Sequence, residues 1–344
     1  MVFPERTKEN VALKVSVVSE SEFTVQGHGV HTAYVELTNA LKKIDGIEVV
    51  VNQTGPADIT HLHTVGFYSL RRLLFDKSKK VVSAHIVPAS LVGSLVGASL
   101  WLPLAKLYLR WFYNRADMLF AVSDETKREL EQLGVKKPIE VVYNMIDTSW
   151  YTTTDADKER ARELLGIKSD AWVVVGAGQV QPRKRVDDFV RVAGELSDQQ
   201  FVWVGGMPFG RLAADNKQMQ SLMDNAPKNV RFTGVIKHEE VKAYYQAADV
   251  FWLPSEQETF GLVVVEAAAA NLPVVLRNIP DYKETFANDV LLVNEETVTD
   301  TLQMLRDDSK FYSASRARAK VIAERYDSTA NASKVIDIYK QLLV

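Results

Sequence analysis

The chain has 344 residues, of which 47% are hydrophobic and 25% charged, and its formal net charge is −3. This length suits two domains of roughly 150–200 residues, and the mildly acidic balance argues against a nucleic-acid partner. The lack of cysteine excludes disulfides, thiol catalysis and cysteine-ligated zinc. The charged first ten residues lack the apolar core of a secretory signal, so we expect a cytoplasmic location.

The first half of the chain alternates short β-branched segments with helical lengths. A helix is predicted from Val30 to Lys43, after a loop that contains Gly27 and Gly29. Strands are predicted at Lys14–Ser19, Ile47–Val51, Ile59–His63, Lys80–His85, Met118–Ser123 and Ile139–Tyr143. Such alternation is typical of a parallel sheet with helices on both faces.

The same alternation restarts after a polar stretch, Thr148–Lys158, which we interpret as a linker. Strands are predicted at Trp172–Gly176, Phe201–Val204, Val230–Thr233, Val250–Leu253 and Pro273–Leu276. Two doubly wound units in tandem place a ligand cleft between them, at the carboxyl ends of their strands. The last segment, Ser328–Val344, has the apolar spacing of an amphipathic helix.

The most informative stretch follows the predicted strand Val250–Leu253. It reads Pro-Ser-Glu-Gln-Glu-Thr-Phe-Gly-Leu-Val-Val-Val-Glu-Ala and places Glu258 in a loop and Glu266 in an alanine-rich helix. Gly261 marks the turn between them, where helix N–H groups attract phosphate. A carboxylate inside such a helix can accept hydrogen bonds from a ribose diol. These parts together suit a nucleoside diphosphate carrying a sugar.

This stretch resembles the signature of the retaining glycosyltransferases of family 4, which have the GT-B fold, and it matches that signature at every fixed position. The resemblance implies an α/β chain with two Rossmann-like doubly wound domains that face a central cleft. The N-terminal acceptor domain would span residues 1–147 and the nucleotide-sugar domain residues 148–327. The C-terminal helix, 328–344, would pack back on the first domain.

The resemblance also implies roles for single residues. Lys184 takes the place of the diphosphate-binding lysine, Glu258 would hold the donor hexose and Glu266 the ribose. The implied catalytic residues are His85, Lys184 and Glu258, and the implied nucleotide-sugar-binding residues are Gly27, Gly29, Gln179, Arg183, Lys184, Thr259, Phe260, Gly261, Leu262 and Glu266. The family commonly has an arginine where this chain has Gln179, so either Arg183 or Arg185 would compensate.

Residues Ile86–Ala105 carry no formal charge and are twenty in number, long enough to span a bilayer. We reject a transmembrane helix because Pro88 and Pro103 interrupt the stretch and because it lies between two strands of one predicted sheet. The continuation to Arg115 interleaves cations with aromatic residues, a mixture that holds a surface helix in anionic lipid. The alternative is a core helix whose cations extend to solvent.

The sequence of residues 86–115 resembles that of the glycolipid-forming branch of the family in Gram-positive bacteria. The resemblance implies a retaining hexosyltransferase that moves galactose or glucose from UDP-galactose or UDP-glucose to a glycolipid acceptor, monoglucosyl-diacylglycerol, on the inner face of the cell membrane. A first-sugar diacylglycerol glucosyltransferase, or an enzyme with a soluble or polyprenyl-linked acceptor, is an alternative. A nucleotide-sugar epimerase and a non-catalytic binding protein are further alternatives.

Metal-ligand patterns are weak in this sequence, so we expect neither a metal nor another cofactor. The pair Asp155 and Asp157 falls in the predicted linker, and Glu256 with Glu258 belongs to the sugar-binding signature. We predict that transferase activity survives excess EDTA. Loss of activity that is restored by Mn²⁺ would reveal a metal site that the sequence does not indicate.

Overall fold

The computed structural model describes residues 12–23, 29–91, 98–207 and 216–344. The strands in these ranges are β1 (Leu13–Val18), β2 (Ile47–Val51), β3 (Ile59–Leu62), β4 (Lys79–Ala84), β5 (Met118–Ala121), β6 (Ile139–Val141), β7 (Val173–Ala177), β8 (Gln200–Val204), β9 (Val230–Phe232), β10 (Val250–Leu253), β11 (Val274–Arg277) and β12 (Leu291–Val293). The helices are α1 (Gly29–Lys42), α2 (Phe67–Phe75), α3 (Pro88–Leu91), α4 (Ala98–Tyr113), α5 (Asp124–Gln132), α6 (Thr148–Tyr151), α7 (Asp155–Leu165), α8 (Val186–Glu195), α9 (Asn216–Asp224), α10 (His238–Ala247), α11 (Leu262–Ala269), α12 (Pro280–Phe286), α13 (Val298–Asp307), α14 (Ser309–Arg325) and α15 (Ser328–Leu343).

Two six-stranded sheets organise the chain, in the orders β2-β1-β3-β4-β5-β6 and β12-β11-β10-β7-β8-β9. Every pairing between these strands is parallel. In the first sheet α1 and α15 pack on one face, while α2, α4 and α5 pack on the other. The predicted class, α/β with two Rossmann-like doubly wound domains, is confirmed. Strand order reverses beside β1 and beside β7, the positions where such sheets bind ligands.

The predicted strands are present, with ends displaced by a few residues at most. The linker interpretation of Thr148–Lys158 is wrong, because this stretch contains α6 and the start of α7. Thr154 caps α7 in a reciprocal hydrogen-bonded box with Asp157, which explains the polar character of the segment. The edge strand β12 was not predicted, and it pairs with β11 in parallel.

The chain crosses between the two domains twice, and the crossings lie side by side. The Ile146 amide donates to the Tyr326 carbonyl at 3.2 Å, and the Ser328 amide donates to the Ile146 carbonyl at 2.8 Å. After the second crossing, α15 packs on α1 and the first sheet through a face that includes Val335 and Tyr339. The last helix therefore joins the first domain's core.

Candidate active site

The candidate site lies where two loops leave adjacent strands of the second sheet. Strand β7 pairs with β10, with Val175 opposite Phe251, so the loops that follow them emerge together. The loop after β7 contains Gly178 and Lys184, and the loop after β10 contains Glu258. Backbone contact joins the loops, because the Glu256 amide donates to the Arg183 carbonyl at 2.9 Å. Parallel topology thus brings together residues 74 positions apart, Lys184 and Glu258.

Gly178 makes room for the lysine. Its φ of +135° is a conformation that residues with a side chain rarely adopt, and a Cβ at this position would lie 3.2 Å from the Lys184 Nζ. Residues Pro182–Lys184 form a single 3₁₀ turn that directs Lys184 back toward the strand ends. Only 6% of Lys184 is exposed, so its charge requires a partner.

That partner is Glu258, which contacts Lys184 directly through its Oε1 atom. The same oxygen accepts a hydrogen bond of 2.8 Å from the Ser255 hydroxyl, and Oε2 lies 3.7 Å from an Arg183 nitrogen. Burial alone would raise the pKa of Glu258, but Lys184 and Arg183 outweigh burial and hold that pKa below its ordinary value. Glu258 is therefore ionised at neutral pH, whereas burial lowers the pKa of Lys184 and the charge of Glu258 opposes that shift. Because an ammonium has three donors, Lys184 can hold a phosphate oxygen as well as Glu258.

The structure distinguishes the two arginines beside Lys184. Arg183 approaches Glu258 and donates to the Gln257 carbonyl at 3.0 Å, so its charge faces the site. Arg185 points toward a group of carboxylates outside the site, contributed by Asp187, Asp188, Glu256 and Glu295. Gln179 lies near the same loop, where its side-chain oxygen accepts a hydrogen bond of 2.6 Å from Gln181. Of the two arginines, Arg183 is thus the one directed toward Glu258.

Helix α11 starts directly after Gly261, which has a φ of +90°. The helix places Glu266 inside the second domain, with 5% of the residue exposed. Its Oε2 atom accepts a hydrogen bond of 2.9 Å from the Tyr245 hydroxyl. Burial raises the pKa of Glu266 to about 7, although hydrogen bonds from Tyr245 and Tyr151 oppose the shift. Among the described residues, no cation lowers the pKa of Glu266 in the way that Lys184 and Arg183 lower that of Glu258.

The other predicted residues of this loop have structural surroundings. Phe260 is buried at the domain junction, where its ring lies 6.0 Å from that of Tyr143 and 5.1 Å from that of Tyr326. Leu262 is the buried first residue of α11, and Thr259 is half-buried beside Glu258. Phe260 and Leu262 therefore fix the loop through apolar contacts.

In the first domain, His85 follows the end of β4 and is buried. Its Nε2 atom lies 3.1 Å from the Nδ1 atom of His63, at the end of β3. Gly29 is the exposed first residue of α1. Gly27 lies outside the described residues.

Sequence reasoning missed Ser255 and Tyr245 as partners of the two glutamates. Ser255 stands within the matched signature, so its place before Glu258 was a usable signal. Tyr245 lies on α10 and is 21 positions from Glu266, and nothing in the local sequence marks it.

One face of helix α4 is buried, as expected for a core helix. The opposite face has the exposed apolar residues and cations expected for a helix at a membrane surface. Leu109, Phe112 and Tyr113 are buried against the first sheet. On the other face, Leu104 is 72% exposed, Leu107 is 65% exposed and Trp111 is 39% exposed. The exposed cations Lys106, Arg110 and Arg115 border this apolar face, and the Arg115 guanidinium lies 4.3 Å from the Trp111 ring centroid. Within the described ranges, every helix is too short or too polar to cross a membrane.

Metal-type ligands do not converge in the described part of the chain, where no three His, Asp or Glu side chains form a group that could hold an ion. Metal independence stays a prediction.

Solved structures with the same architecture cover nearly the whole chain. The Anabaena protein HepE, in complex with UDP-glucose, superposes with a TM-score of 0.75 at 17% identity, over 95% of this chain and 99% of HepE. Sucrose-phosphate synthase from Thermosynechococcus elongatus gives a TM-score of 0.78 at 18% identity, over 96% of this chain and 98% of that one. These similarities establish the GT-B fold.

Sequence comparison identifies the family. The family "Glycosyl transferases group 1" matches residues 157–320, and "Glycosyltransferase Family 4" matches residues 50–150. The chain is 33% identical to the alpha-galactosylglucosyldiacylglycerol synthase of Streptococcus pneumoniae, over 92% of this chain and 84% of that protein. It is 26% identical to the processive diacylglycerol alpha-glucosyltransferase of Acholeplasma laidlawii, over 78% of this chain and 80% of that protein. The chain therefore belongs to the family 4 glycosyltransferases.

If Glu266 holds a ribose diol, UDP affinity should depend on the protonation of this carboxyl group. With a pKa of about 7 in the free protein, Glu266 is mostly ionised at pH 8 and mostly protonated at pH 6. Because the ionised form is the better acceptor, UDP affinity should fall by roughly tenfold between pH 8 and pH 6. Isothermal titration calorimetry at several pH values measures this change.

The Glu266→Gln variant is the matched control. It should bind UDP more weakly by about 1–3 kcal/mol at pH 8, the scale of a hydrogen bond to a charged group. It should also lose the additional pH dependence, while the titration of UDP itself affects both proteins equally. Equal UDP affinity of the two proteins at pH 8 would refute the ribose assignment.

Proposed function

We propose that this protein is a retaining hexosyltransferase that moves galactose or glucose from a UDP-sugar to monoglucosyl-diacylglycerol on the cytoplasmic face of the cell membrane. The buried Lys184–Glu258 pair, with Arg183 beside it, is the observation that carries the proposal. It combines cations suited to a diphosphate with a carboxylate suited to sugar hydroxyls. The names of the Streptococcus pneumoniae and Acholeplasma laidlawii relatives support a diacylglycerol-based acceptor.

The transfer proceeds on one face of the sugar. The bond between the hexose C1 and the diphosphate oxygen breaks, and the acceptor oxygen forms a bond to C1 on the face that UDP leaves. The acceptor proton passes to the departing diphosphate, so neither a metal nor a protein base is required. Retention of the α configuration follows from this same-face attack.

The protein contributes mainly electrostatic stabilisation of the leaving group. Lys184 and Arg183 lie where negative charge develops on the diphosphate, and the N–H groups of α11 after Gly261 add to their effect. Glu258 accepts hydrogen bonds from the hexose, and Glu266 accepts them from the ribose. His85 contacts the transferred sugar from the first domain, and the backbone at Gly29, the first residue of α1, approaches the phosphates.

Helix α4 provides the surface through which the protein reaches its lipid acceptor. Its exposed apolar residues suit insertion at the level of the lipid headgroups, and Lys106, Arg110 and Arg115 suit anionic lipid. The buried opposite face holds the helix on the sheet, so binding requires no unfolding. A first-sugar diacylglycerol glucosyltransferase is the second candidate, and the name of the Acholeplasma laidlawii relative favours it.

A product assay tests the proposal. The purified protein is incubated with UDP-glucose or UDP-galactose and with either diacylglycerol or monoglucosyl-diacylglycerol, and the lipids are separated and identified. A diglycosyl lipid with an α linkage, formed only from the monoglucosyl acceptor, is the expected result. Product from diacylglycerol alone would favour the first-sugar alternative, and an inverted linkage would refute the retaining mechanism.

The membrane role of α4 is tested by replacing Lys106, Arg110 and Arg115 with glutamine. Each cation should contribute about 1 kcal/mol of attraction to an anionic surface. The triple variant should therefore bind anionic vesicles about a hundredfold more weakly, and the difference should shrink at high salt. UDP affinity should be unchanged, because none of the three cations is among the residues proposed to contact the donor. Co-sedimentation with anionic and neutral liposomes measures the effect.

A charge-matched control removes three exposed cations from the second domain, Lys310, Arg318 and Lys320 on α14. This control should bind anionic vesicles as the unmodified protein does. Equal sedimentation of the α4 variant and the unmodified protein would contradict membrane binding through α4.

A further inference from the structure

Helix α2 lies beside α4 on the face of the first sheet that both helices cover. Helix α2 connects β3 to β4, and α4 lies between β4 and β5, so the two helices run in the same direction over neighbouring strands. Leu73 of α2 is buried in the same apolar cluster as Leu109 and Phe112 of α4. The Tyr108 hydroxyl on α4 also donates to the Val65 carbonyl, just before α2. The outer faces of two helices held in this way point to the same side of the domain.

The outer face of α2 carries large apolar side chains that are exposed to solvent. Phe67 is 83% exposed, Leu74 is 43% exposed and Phe75 is 75% exposed. Together with the exposed Arg71 they occupy positions i, i+4, i+7 and i+8, which lie on one face of a helix. Buried residues such as Leu73 lie on the opposite face. Helix α2 therefore has an apolar outer face as well as the inner face that packs on the sheet.

The charge beside this apolar face is positive. Between positions 71 and 115 the chain has eight basic residues and a single acidic residue, Asp76. The Asp76 carboxylate is paired with the buried Arg72 guanidinium at 2.8 Å, so its charge is already neutralised within the domain. Arg71 on α2 and Lys77 just after it are exposed. The outer face of α2 thus combines aromatic and aliphatic side chains with cations.

A second copy of the chain and an anionic bilayer are the two occupants to compare for this face. A symmetric contact between two copies would bring the same cations against each other, which repels the copies. Apolar and aromatic side chains interleaved with cations are instead typical of helices that lie in the interface of an anionic membrane. The exposed face of α4 has the same composition, with Leu107 and Trp111 beside Lys106 and Arg110. An anionic membrane therefore fits both helices at once.

We propose that α2 and α4 form one membrane-binding surface, in which Phe67, Leu74 and Phe75 insert at the level of the lipid headgroups beside Leu107 and Trp111. This surface rests on the proposed function, in which α4 contacts the membrane, and extends that contact to a second helix. A single surface helix can roll about its own axis, whereas two adjacent helices fix the face of the sheet against the bilayer. The strand carboxyl ends, where both helices start, then keep a constant orientation to the lipid.

The absence of cysteine from the chain permits site-specific labelling of this surface. Three single variants, Phe67→Cys, Phe75→Cys and Leu107→Cys, each carry a nitroxide label on α2 or α4. Leu164→Cys is the matched control, at a 77% exposed position of α7 in the second domain. With vesicles of phosphatidylglycerol and phosphatidylcholine, we expect the α2 and α4 labels to lose collisions with a water-soluble nickel complex and to gain collisions with oxygen, which partitions into lipid. The control label should stay in water.

The label positions separate failure of this surface from failure of the proposed function. A label at Leu107 that enters lipid while those at Phe67 and Phe75 stay in water would overturn the role of α2 and leave that of α4 intact. Labels that stay in water at all three positions would overturn membrane contact through either helix, and with it the membrane part of the proposed function. Shielding of the α2 labels that requires no vesicles and increases with protein concentration would place a second copy on this face and overturn the proposal.

Removal of the two phenylalanines gives a readout that charge alone would not give. The variant with both Phe67→Ala and Phe75→Ala should bind the same vesicles at least about tenfold more weakly, because burial of one large apolar side chain is worth a factor of that size. Apolar insertion is not screened by ions, so this loss should persist at high salt, unlike the loss in the α4 cation variant. A control with Leu164→Ala and Met304→Ala, at exposed apolar positions of the second domain, should bind normally. Equal binding of the phenylalanine variant and the unmodified protein at low and high salt would refute insertion of α2.

Discussion

The ion pair between Lys184 and Glu258 is the interaction on which the rest of the site depends. A charge as buried as either of these costs several kcal/mol unless it is paired, so neither loop could hold its charged residue without the other. The pair forms because β7 and β10 are neighbours at the point where strand order reverses. Gly178, Ser255 and the contact between Glu256 and Arg183 all maintain the geometry of this pair. The topology of the sheet thereby determines the chemistry of the site.

The two glutamates of one signature have opposite electrostatic environments. Two cations lower the pKa of Glu258, whereas Glu266 is surrounded by tyrosine hydroxyls and burial raises its pKa. In the proposed function, the charged Glu258 accepts hydrogen bonds from the hexose and also orients Lys184. Glu266, whose pKa is about 7, accepts them from the uncharged ribose diol. The spacing of the glutamates in the sequence says nothing of this difference.

Local patterns predicted the strands because short β-branched, apolar runs between polar turns are typical of buried strands. The signature at residues 254–267 predicted the site loop because its residue types are constrained by a single turn and helix start. Long-range partners were beyond such reasoning. The choice between Arg183 and Arg185 depends on a 3₁₀ turn and on carboxylates more than 70 positions away, and Tyr245 reaches Glu266 from another helix. The division of α4 into a buried and an exposed face could not be predicted, because the sequence does not show which side of the helix packs on the sheet.

In the proposed function the two domains contribute different parts of the site. Lys184, Glu258 and Glu266 lie in the second domain, whereas α4 and His85 lie in the first. Contacts that join the domains include the apolar packing of Tyr143 on Phe260, the backbone hydrogen bonds at Ile146 and the paired contact between Arg128 and Glu284. The arginine is 45% exposed and the glutamate 40%, so this salt bridge contributes at most about 1 kcal/mol. Phe260 in the apolar junction stands two residues after Glu258, so the loop that carries Glu258 also forms part of the contact between the domains.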